Sequence, residues 1–439
     1  MRIAVYAICK NESQFVDRWM DSMSEADQVV VLDTGSTDDT VERLKKRGAQ
    51  VTVELISPWR FDVARNRSLD LVSEDTDICV CTDLDEVFHP GWRAALERAW
   101  QPGAGQATYR YTWSFNPDGS EGVVFWYEKA HARYGYQWIH PVHEVLKWVG
   151  EGVPGPTVTV EGMQLDHHPD PTKSRGQYLP LLELSVEEEP EDDRNTHYLG
   201  REYMYRGRWD DCIRTLEHHL SMPTATWKDE RAASMRYIAL SWLRKGDRAR
   251  ARDWYLRAIA EAPHLREPYM DLARMLYDME EWDGVLYFTG CALSITIRPK
   301  TYICEADSWG SLPHDLRCQA LFQTGRRALA LDEARAALAC APSDPRLRGN
   351  VAVLEQLLGE TERSAPNGAD LSPLPGAVIL GHSPSQGAGG RPLSPRSWRW
   401  GRPAQSAGRG NGGPGRAPEQ SGGRPRRCAG CIGPVPGQI

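Results

Sequence analysis

The sequence contains no run of about 20 apolar residues, the length that a membrane-spanning helix needs, so we expect a soluble protein without a membrane span. The opening stretch, Met1 to Ile8, is too short for the apolar region of a signal peptide and lacks a small-residue cleavage site. The 10 cysteines are scattered, and Cys9, Cys79 and Cys81 lie in apolar runs where small packing side chains are expected. We therefore expect a reducing, cytoplasmic setting.

The sequence also has no excess of basic residues. It contains 52 Lys and Arg against 60 Asp and Glu, which gives a formal net charge of -8. From Arg363 onward, ten Arg oppose Asp370 and Glu419, so this segment carries +8 and residues 1–362 carry -16. An acidic body argues against nucleic acid as the main partner. At 439 residues with 41% hydrophobic content, the chain is long enough for two or three domains with cores of their own.

Strand and helix patterns alternate along roughly the first 170 residues. They predict strands at 2–9, 28–32, 51–55, 77–81, 108–115 and 123–128, and helices at 13–23, 38–47 and 61–71. This alternation predicts an α/β domain with a mostly parallel sheet and helices on both faces. Ligands of such sheets gather at the carboxyl ends of strands, where the polar segments 10–12, 33–39 and 83–86 each follow a strand.

From about residue 195 to residue 358 the chain becomes helical with a recurring unit. The clearest copy has the small and aromatic residues, glycine turn and closing proline of a tetratricopeptide repeat, at Ile238, Ala239, Trp242, Gly246, Ala251, Tyr255, Ala258 and Pro263. Repeat-ending prolines at 223, 263, 299 and 342 are 36 to 43 residues apart, which implies insertions in the standard unit. We predict an all-α TPR-like helical array.

After Thr361 the composition changes to Gly, Pro, Ser and Arg, which leaves too little apolar surface to offset chain entropy. A disordered, solvated tail is therefore predicted, and contact of its Arg residues with RNA or another anion is the alternative. Cys428 and Cys431 form a lone CxxC without a second pair, which does not favour a metal or redox site. The expected domains are 1–190, 191–360 and 361–439.

An Asp-x-Asp pair follows the apolar run at 78–81. Asp83 and Asp85 are two residues apart where a buried strand ends, so extended backbone directs both carboxylates to one side. Two hard oxygen ligands suit Mg²⁺ or Mn²⁺, which keeps its other positions for water and substrate phosphate. A helix cap or a solvated turn is the alternative for this motif taken alone.

A second acidic segment runs from Val31 to Thr40. It places Asp33 at the end of a strand, a tight turn through Ser36, and Asp38 as the cap of the next helix. A carboxylate fixed at Asp33 can hydrogen-bond a uracil or ribose group. An ordinary strand-to-helix turn is the alternative if this segment stood alone.

These two segments, together with Lys10-Asn11-Glu12 and the stretch from Phe61 to Asn66, resemble family 2 glycosyltransferases of the GT-A fold. The resemblance covers roughly the first 170 residues and is closest to bacterial enzymes with C-terminal tetratricopeptide helices, some of which glycosylate peptides. It implies a Rossmann-like GT-A domain and an inverting hexosyltransferase. The implied donor is a nucleotide-diphosphate sugar, with a UDP-sugar favoured, and the implied cofactor is a divalent metal, Mn²⁺ or Mg²⁺.

The resemblance also implies a set of nucleotide-sugar-binding residues, namely Asn11, Glu12, Asp33, Ser36, Arg65, Asp83 and Trp138. By this likeness Asp33 reads the base, while Asp83 and Asp85 bind the sugar-diphosphate through the metal. Two alternatives stay open, because Arg65 also fits a solvated helix face and Trp138 also fits a core position.

The segment from Trp138 to Glu144 resembles the family's later His-Glu segment. Glu144 is the preferred catalytic base, because an inverting displacement requires a carboxylate beside the acceptor nucleophile. Asp85 is the second candidate for this role, and Glu86 is a further alternative.

Histidines are candidates for the third metal ligand, since an imidazole from a distant loop can complete such a site. His143 and, from the pair His167-His168, His168 are the residues chosen. A packed or solvated role is the alternative for both.

We therefore expect a metal-dependent glycosyltransferase that acts on an acceptor glycan or peptide, with the array binding the acceptor or a second copy in a homo-oligomer. A non-enzymatic scaffold with an inert N-terminal domain is one alternative. A nucleotidyltransferase is another, but it needs a Gly-rich basic loop after the first strand to cradle a triphosphate, and Lys10-Asn11-Glu12 is not one.

Overall fold

The structure, a computed structural model, describes residues 1–116, 119–170 and 176–364. Its strands are Ile3–Cys9 (β1), Gln28–Asp33 (β2), Gln50–Val53 (β3), Ile78–Cys81 (β4), Glu86–Phe88 (β5), Gln106–Thr112 (β6), Val124–Ala132 (β7), Tyr136–Ile139 (β8), Val145–Trp148 (β9) and Thr157–His167 (β10). Eight of them form one sheet in the order β3-β2-β1-β4-β7-β6-β10-β5, and β8 pairs with β9 in a second, small sheet.

The centre of the large sheet is made of apolar strands. Every residue of β1 and of β4 is buried, as expected for strands that are covered on both faces. β1 pairs in parallel with β2 and β4, so that Ala4 lies opposite Gln28 on one side and Cys79 on the other. The helices of this part are Val16–Ser22 (α1), Thr40–Lys46 (α2), Phe61–Asp70 (α3) and Trp92–Ala99 (α4). The predicted α/β fold is confirmed.

Antiparallel pairing enters at β7, which the sequence did not predict. β7 pairs antiparallel with both β4 and β6, and β5 pairs antiparallel with β10. The aromatic segments at 108–115 and 123–128 thus form a hairpin inserted beside β4. The consequence for the site is that β7 lies next to the strand that leads into Asp83.

The rest of the described chain is helical. The helices are Tyr178–Glu188 (α5), Asp193–Tyr205 (α6), Trp209–Ser221 (α7), Lys228–Arg244 (α8), Arg248–Glu261 (α9), Glu267–Asp278 (α10), Trp282–Ser294 (α11), Ala306–Trp309 (α12), Leu312–Gln323 (α13), Arg327–Cys340 (α14) and Pro345–Ser364 (α15). The repeat positions Ala251, Tyr255 and Ala258 are buried, and Gly246 turns the chain between α8 and α9 at φ +88°, a conformation that glycine tolerates. The segment 295–311, between α11 and α13, lengthens the chain between consecutive helical pairs of the array. The predicted TPR-like array is confirmed.

Contacts join the sheet domain to the array. Arg194 Nη1 donates to the carbonyl oxygen of His143 at 2.7 Å, and Arg298 Nη2 donates to that of Gly122 at 2.8 Å. The described residues all fall within one compact unit. Domain boundaries at 190 and 360 therefore stay predictions, and the tail predicted for 361–439 lies outside the described residues from 365 onward. In the ranges that the structure describes, no helix combines the length and apolar character needed to cross a bilayer.

Candidate functional site

Hydrogen bonds join the loops that follow β1 and β2. The Asn11 N–H donates to Ser36 Oγ at 2.8 Å, and the Asn11 side-chain oxygen accepts from the Thr37 N–H at 2.7 Å. The Glu12 N–H donates to Thr40 Oγ1 at 2.9 Å, and the Glu12 residue is buried. The structure thus brings together the residues that the sequence assigned to the nucleotide in these two loops.

Asp33 ends β2 and is fully buried. Its Oδ1 accepts from the Gly35 N–H at 3.0 Å and the Ser36 N–H at 2.9 Å, while Oδ2 accepts from the Ser36 hydroxyl and from the Cys9 thiol at 3.4 Å. Gly35 is required here, because its φ is +103° and a Cβ would lie 2.5 Å from Leu55 Cδ2. Four donors match the roughly four lone-pair sites of a carboxylate, so a bound base would replace one of them.

Asp83 follows β4, and two cations hold its carboxylate. Arg65 Nη2 lies 2.9 Å from Oδ1 and 3.2 Å from Oδ2, and Lys129 Nζ lies 3.2 Å from Oδ2. Burial alone would raise the pKa of Asp83, but the charges of Arg65 and Lys129 outweigh it and hold that pKa well below its ordinary value. Asp83 is therefore a fixed anion whose charge is already compensated.

Lys129 is a site residue that the sequence reasoning missed. It is buried on β7, and its Nζ also lies 3.0 Å from Glu86 Oε1. The same Glu86 oxygen accepts from the Tyr111 hydroxyl at 2.8 Å, while Oε2 accepts from the Asp83 N–H at 2.9 Å. Both carboxylate oxygens of Glu86 are engaged in holding the turn, which leaves Glu86 poorly suited to the role of acceptor base.

Arg65 lies on α3 with its side chain only 6% exposed, so it is not the solvated helix residue that the sequence left as an alternative. Its Nε pairs with the Glu144 carboxylate, and its Nη1 lies 3.2 Å from Cys81 Sγ. The guanidinium lies 5.3 Å from the centre of a Trp138 ring. Arg65 thus joins the end of β4 to the segment from Trp138 to Glu144.

Trp138 is buried below this guanidinium. Its indole N–H donates to the Tyr6 hydroxyl at 2.8 Å. The Asn66 side chain binds both the N–H and the carbonyl of Trp138, each at 2.8 Å. Trp138 therefore has the placement of a core residue, which the sequence left open as the alternative to stacking on a sugar.

Asp85 lies beside His167 at the end of β10. Asp85 Oδ2 is 3.5 Å from His167 Nε2, and His167 Nδ1 is 3.0 Å from the Trp113 carbonyl oxygen, which orients the ring. Burial alone would lower the pKa of His167, but Asp85 outweighs it and raises that pKa. His168, which the sequence analysis preferred, donates its backbone N–H to the Asp85 carbonyl at 2.8 Å, while its ring stacks on Phe115 at 5.2 Å.

His143 adopts φ +52° and stacks its ring on Tyr198 of α6 at 4.2 Å. Its ring therefore contacts the helical array. Within the described ranges, the groups of three ligating side chains close enough to share an ion contain none of Asp83, Asp85, His143 and His168. The predicted four-residue metal set is not assembled in this conformation.

Asp85 and His167 are the donor pair of this site that fits a divalent ion. One carboxylate oxygen and one imidazole nitrogen stand 3.5 Å apart, and such mixed N and O donors suit Mn²⁺ better than Mg²⁺, which prefers oxygen alone. Asp83 fits less well, because Arg65 and Lys129 already neutralise it.

Residues 4–143 match the family model for glycosyl transferase family 2. The N-terminal domain is a family 2 glycosyl transferase domain. The match contains Asp33, Arg65, Asp83 and Asp85, so the resemblance predicted from those motifs is confirmed. It ends at His143, one residue before Glu144.

Curated relatives match a stretch of 59 residues of the chain. An uncharacterized glycosyltransferase of Rickettsia prowazekii is 42% identical over 59 residues, which are 13% of this chain and 19% of that protein. An uncharacterized glycosyltransferase of Rickettsia conorii is 44% identical over 59 residues, 13% of this chain and 20% of that protein. The chain thus spans about a fifth of the length of these relatives.

Solved structures also resemble parts of the chain. Glucosyl-3-phosphoglycerate synthase from Mycobacterium tuberculosis, in complex with Mn²⁺, UDP and glucosyl-3-phosphoglycerate, is 30% identical with a TM-score of 0.22, over 25% of this chain and 44% of its own. MamA is 19% identical with a TM-score of 0.30, over 37% of this chain and 79% of its own. At these TM-scores neither superposition constrains the site.

Proposed function

We propose that the family 2 domain transfers a sugar, with inversion, from a nucleoside diphosphate sugar to an acceptor bound beside the helical array. A UDP-sugar is the expected donor. The observation that carries this proposal is the family 2 match at residues 4–143, whose acidic residues Asp33, Asp83 and Asp85 lie at the carboxyl ends of β2 and β4, the two strands that flank β1 in parallel. Parallel strands of one sheet deliver these groups to the same edge, where such sheets bind ligands.

In this proposal the nucleoside binds at the joined loops after β1 and β2. Asp33 would accept a hydrogen bond from the base in exchange for its weakest donor, the Cys9 thiol. Asp83 would accept a hydrogen bond from a ribose hydroxyl, because Arg65 and Lys129 compensate its charge without covering it fully, and its side chain is 32% exposed.

Asp85 and His167 would hold the divalent ion. A divalent ion bound there would stabilise the negative charge that develops on the departing diphosphate. The cations Arg65 and Lys129, 2.9 Å and 3.2 Å from the Asp83 carboxylate, add to the positive potential of the crevice.

Glu144 is the proposed base for the acceptor proton. Its side chain is 11% exposed, and its ion pair with Arg65 holds the carboxylate in place. In this proposal its effect depends on positioning beside the acceptor.

The acceptor side contains two cations of α6. The guanidiniums of Arg194 and Arg201 lie 4.8 Å and 4.5 Å from the centre of the Tyr198 ring, the ring on which His143 stacks. Neither guanidinium lies within ion-pair distance of a carboxylate of the described residues. Since uncompensated charges at a protein surface crevice favour an oppositely charged ligand, we infer an acceptor that carries negative charge.

A donor screen tests the proposal. The purified chain is incubated with UDP- and GDP-sugars, with and without Mn²⁺, and release of the nucleoside diphosphate is measured, with neutral and phosphorylated acceptors compared. We expect Mn²⁺-dependent turnover of one donor, strongly reduced at the same Mn²⁺ concentration in Asp85→Asn and kept in the matched control Asp166→Asn, whose carboxylate pairs with the exposed His89. No turnover of any donor and no binding of UDP by calorimetry would favour the scaffold alternative.

A further inference from the structure

A second group of ligating side chains lies away from this site, where α6, α7 and α8 meet. It consists of His197 on α6, His219 on α7 and Glu230 on α8, and the ligand atoms of the three all lie within 4.8 Å of one another. His197 and His219 are 0% exposed and Glu230 is 5% exposed. Such a polar group is costly to bury unless its atoms find partners.

The two imidazoles share one hydrogen-bond partner on one side. Ser234 Oγ lies 2.7 Å from His197 Nδ1 and 3.0 Å from His219 Nδ1. A serine hydroxyl carries one hydrogen, so at least one of these Nδ1 atoms is the donor, and the Nε2 atom of that ring then bears a bare lone pair. Ser234 therefore holds the Nδ1 atoms of both rings, and His219 Nε2 faces Glu230.

The other side of the rings lacks hydrogen bonds. Neither His197 Nε2 nor His219 Nε2 has a hydrogen-bond partner among the described residues, although both atoms are buried. His219 Nε2 lies 3.5 Å from Glu230 Oε1, which is within ion-pair distance but outside hydrogen-bond geometry. The second oxygen of Glu230 accepts from the Tyr302 hydroxyl at 2.6 Å, which fixes the carboxylate.

The unpartnered imidazole nitrogens are also potential metal ligands. A neutral ring presents its Nε2 lone pair, which is the form that binds a metal. The group thus offers two imidazole nitrogens and one carboxylate oxygen in a buried space.

We propose that His197, His219 and Glu230 bind a divalent transition-metal ion of the zinc class. Two imidazoles and one carboxylate are a recognised ligand set for Zn²⁺. Ligands about 2.1 Å from an ion in tetrahedral directions are about 3.4 Å apart, close to the 3.5 Å between His219 Nε2 and Glu230 Oε1. The ion would tie α6, α7 and α8 together at the start of the array.

The cobalt spectrum of the full chain tests this site separately from the proposed donor site. The Asp85→Asn/His167→Gln chain, which lacks the donor-side pair, is stripped with EDTA and titrated with Co²⁺. We expect one equivalent of Co²⁺ with the intense visible bands of a four-coordinate ion, displaced by Zn²⁺. His264→Asn is the matched control, an exposed histidine of the same array that should leave the bands unchanged.

His219→Asn in the same background should lose the bands while its circular dichroism stays that of the parent. If that variant does not fold, X-ray absorption of the zinc-loaded parent tests the site instead. The proposed ligands predict that only nitrogen and oxygen atoms are bound to the zinc ion. Absence of the cobalt bands, their persistence in a folded His219→Asn chain, or sulfur neighbours would each overturn the proposal. None of these outcomes depends on glycosyl transfer. The metal-site proposal can therefore be wrong while the proposed function is right, and the reverse.

Discussion

Arg65 and Asp83 form an ion pair that joins α3 to the turn after β4, with Nη2 2.9 Å from Oδ1. The same guanidinium pairs through Nε with Glu144, so one side chain orients both the acid proposed to bind the ribose and the proposed base. The side chain of Arg65 is 6% exposed, which makes this arrangement costly to lose.

Replacing Arg65 by Met should destabilise the protein by about 3 kcal/mol, because it removes the cation paired with Glu144 and leaves Asp83 with Lys129 alone in a largely buried space. Thermal and urea unfolding measure this loss. Arg67→Met is the matched control on the same helix, where the side chain is 53% exposed and its ion pair with Glu54 is a surface one, so a change below about 0.5 kcal/mol is expected. Equal effects of the two substitutions would contradict the role given to Arg65.

The two acids of the Asp-x-Asp pair should give different phenotypes. Asp83→Asn should raise KM for the donor about tenfold, the equivalent of one charge-assisted hydrogen bond, with little change in the Mn²⁺ concentration needed. Asp85→Asn should raise that Mn²⁺ concentration about tenfold or more, because it removes the carboxylate beside His167. Steady-state kinetics over a range of Mn²⁺ concentrations separate the two effects, and a reversed pattern would exchange the proposed roles.

Glu144→Gln should lower kcat by about 10² to 10⁴, the range for loss of a general base. Steady-state kinetics separate two roles, since loss of the base should lower kcat with little change in KM for the donor. A structural role through Arg65, which also pairs with Asp83, would instead raise KM for the donor.

The sequence alone predicts the position of a candidate site residue when that residue ends a strand with a clear local pattern. Asp33, Asp83 and Asp85 each end a local strand motif, and parallel pairing brings the strand ends together without further information. Lys129 could not be found in this way, because its approach to Asp83 depends on the antiparallel insertion of β7 beside β4. A lysine within an aromatic strand was the available clue, since a buried lysine requires a carboxylate partner.

His167 illustrates a smaller limit of sequence reasoning. It differs from His168 by one position, and which of the two side chains approaches Asp85 depends on the register of β10. Successive side chains of a strand point to opposite faces. A register shift of one residue would therefore turn His168 instead of His167 toward Asp85. The register of β10 against β6 is itself irregular, between Val160 and Gln164, which composition cannot reveal.

His131 should make the protein less stable in acid. Burial lowers the pKa of His131 to about 4, below the value of about 6.5 for an unfolded chain, so below pH 6.5 the unfolded state binds more protons. The stability present above about pH 6.5 is therefore lost as the pH falls, by up to about 3 kcal/mol near pH 4. His131→Gln keeps a donor and an acceptor toward the Tyr6 hydroxyl without this titration. Its Tm should fall less between pH 7 and pH 4.5 than that of the unmodified chain, and parallel curves would show that His131 does not contribute.

Replacing either of two helical glycines of the array by alanine should change Tm, in opposite directions at the two positions. Alanine favours a helix over glycine by about 1 kcal/mol at both positions. At Gly349 on α15 a Cβ meets nothing within 4 Å, so Gly349→Ala should raise Tm. At Gly200 on α6 a Cβ would lie 2.2 Å from Leu216 Cδ2 and 2.4 Å from its Cγ, and Leu216 is fully buried on α7.

The overlap at Gly200 includes the branch point of Leu216 as well as a terminal methyl, so a simple rotation of the side chain does not remove it. Overpacking of this kind costs about 1 to 3 kcal/mol, which exceeds the gain in helix propensity, and Gly200→Ala should therefore lower Tm. Adding Leu216→Val, which removes one carbon at that contact, should recover part of the loss if the overlap is its cause. A rise in Tm for Gly200→Ala alone would mean that α6 and α7 separate at little cost, and that the close approach of the two helices does not depend on a glycine.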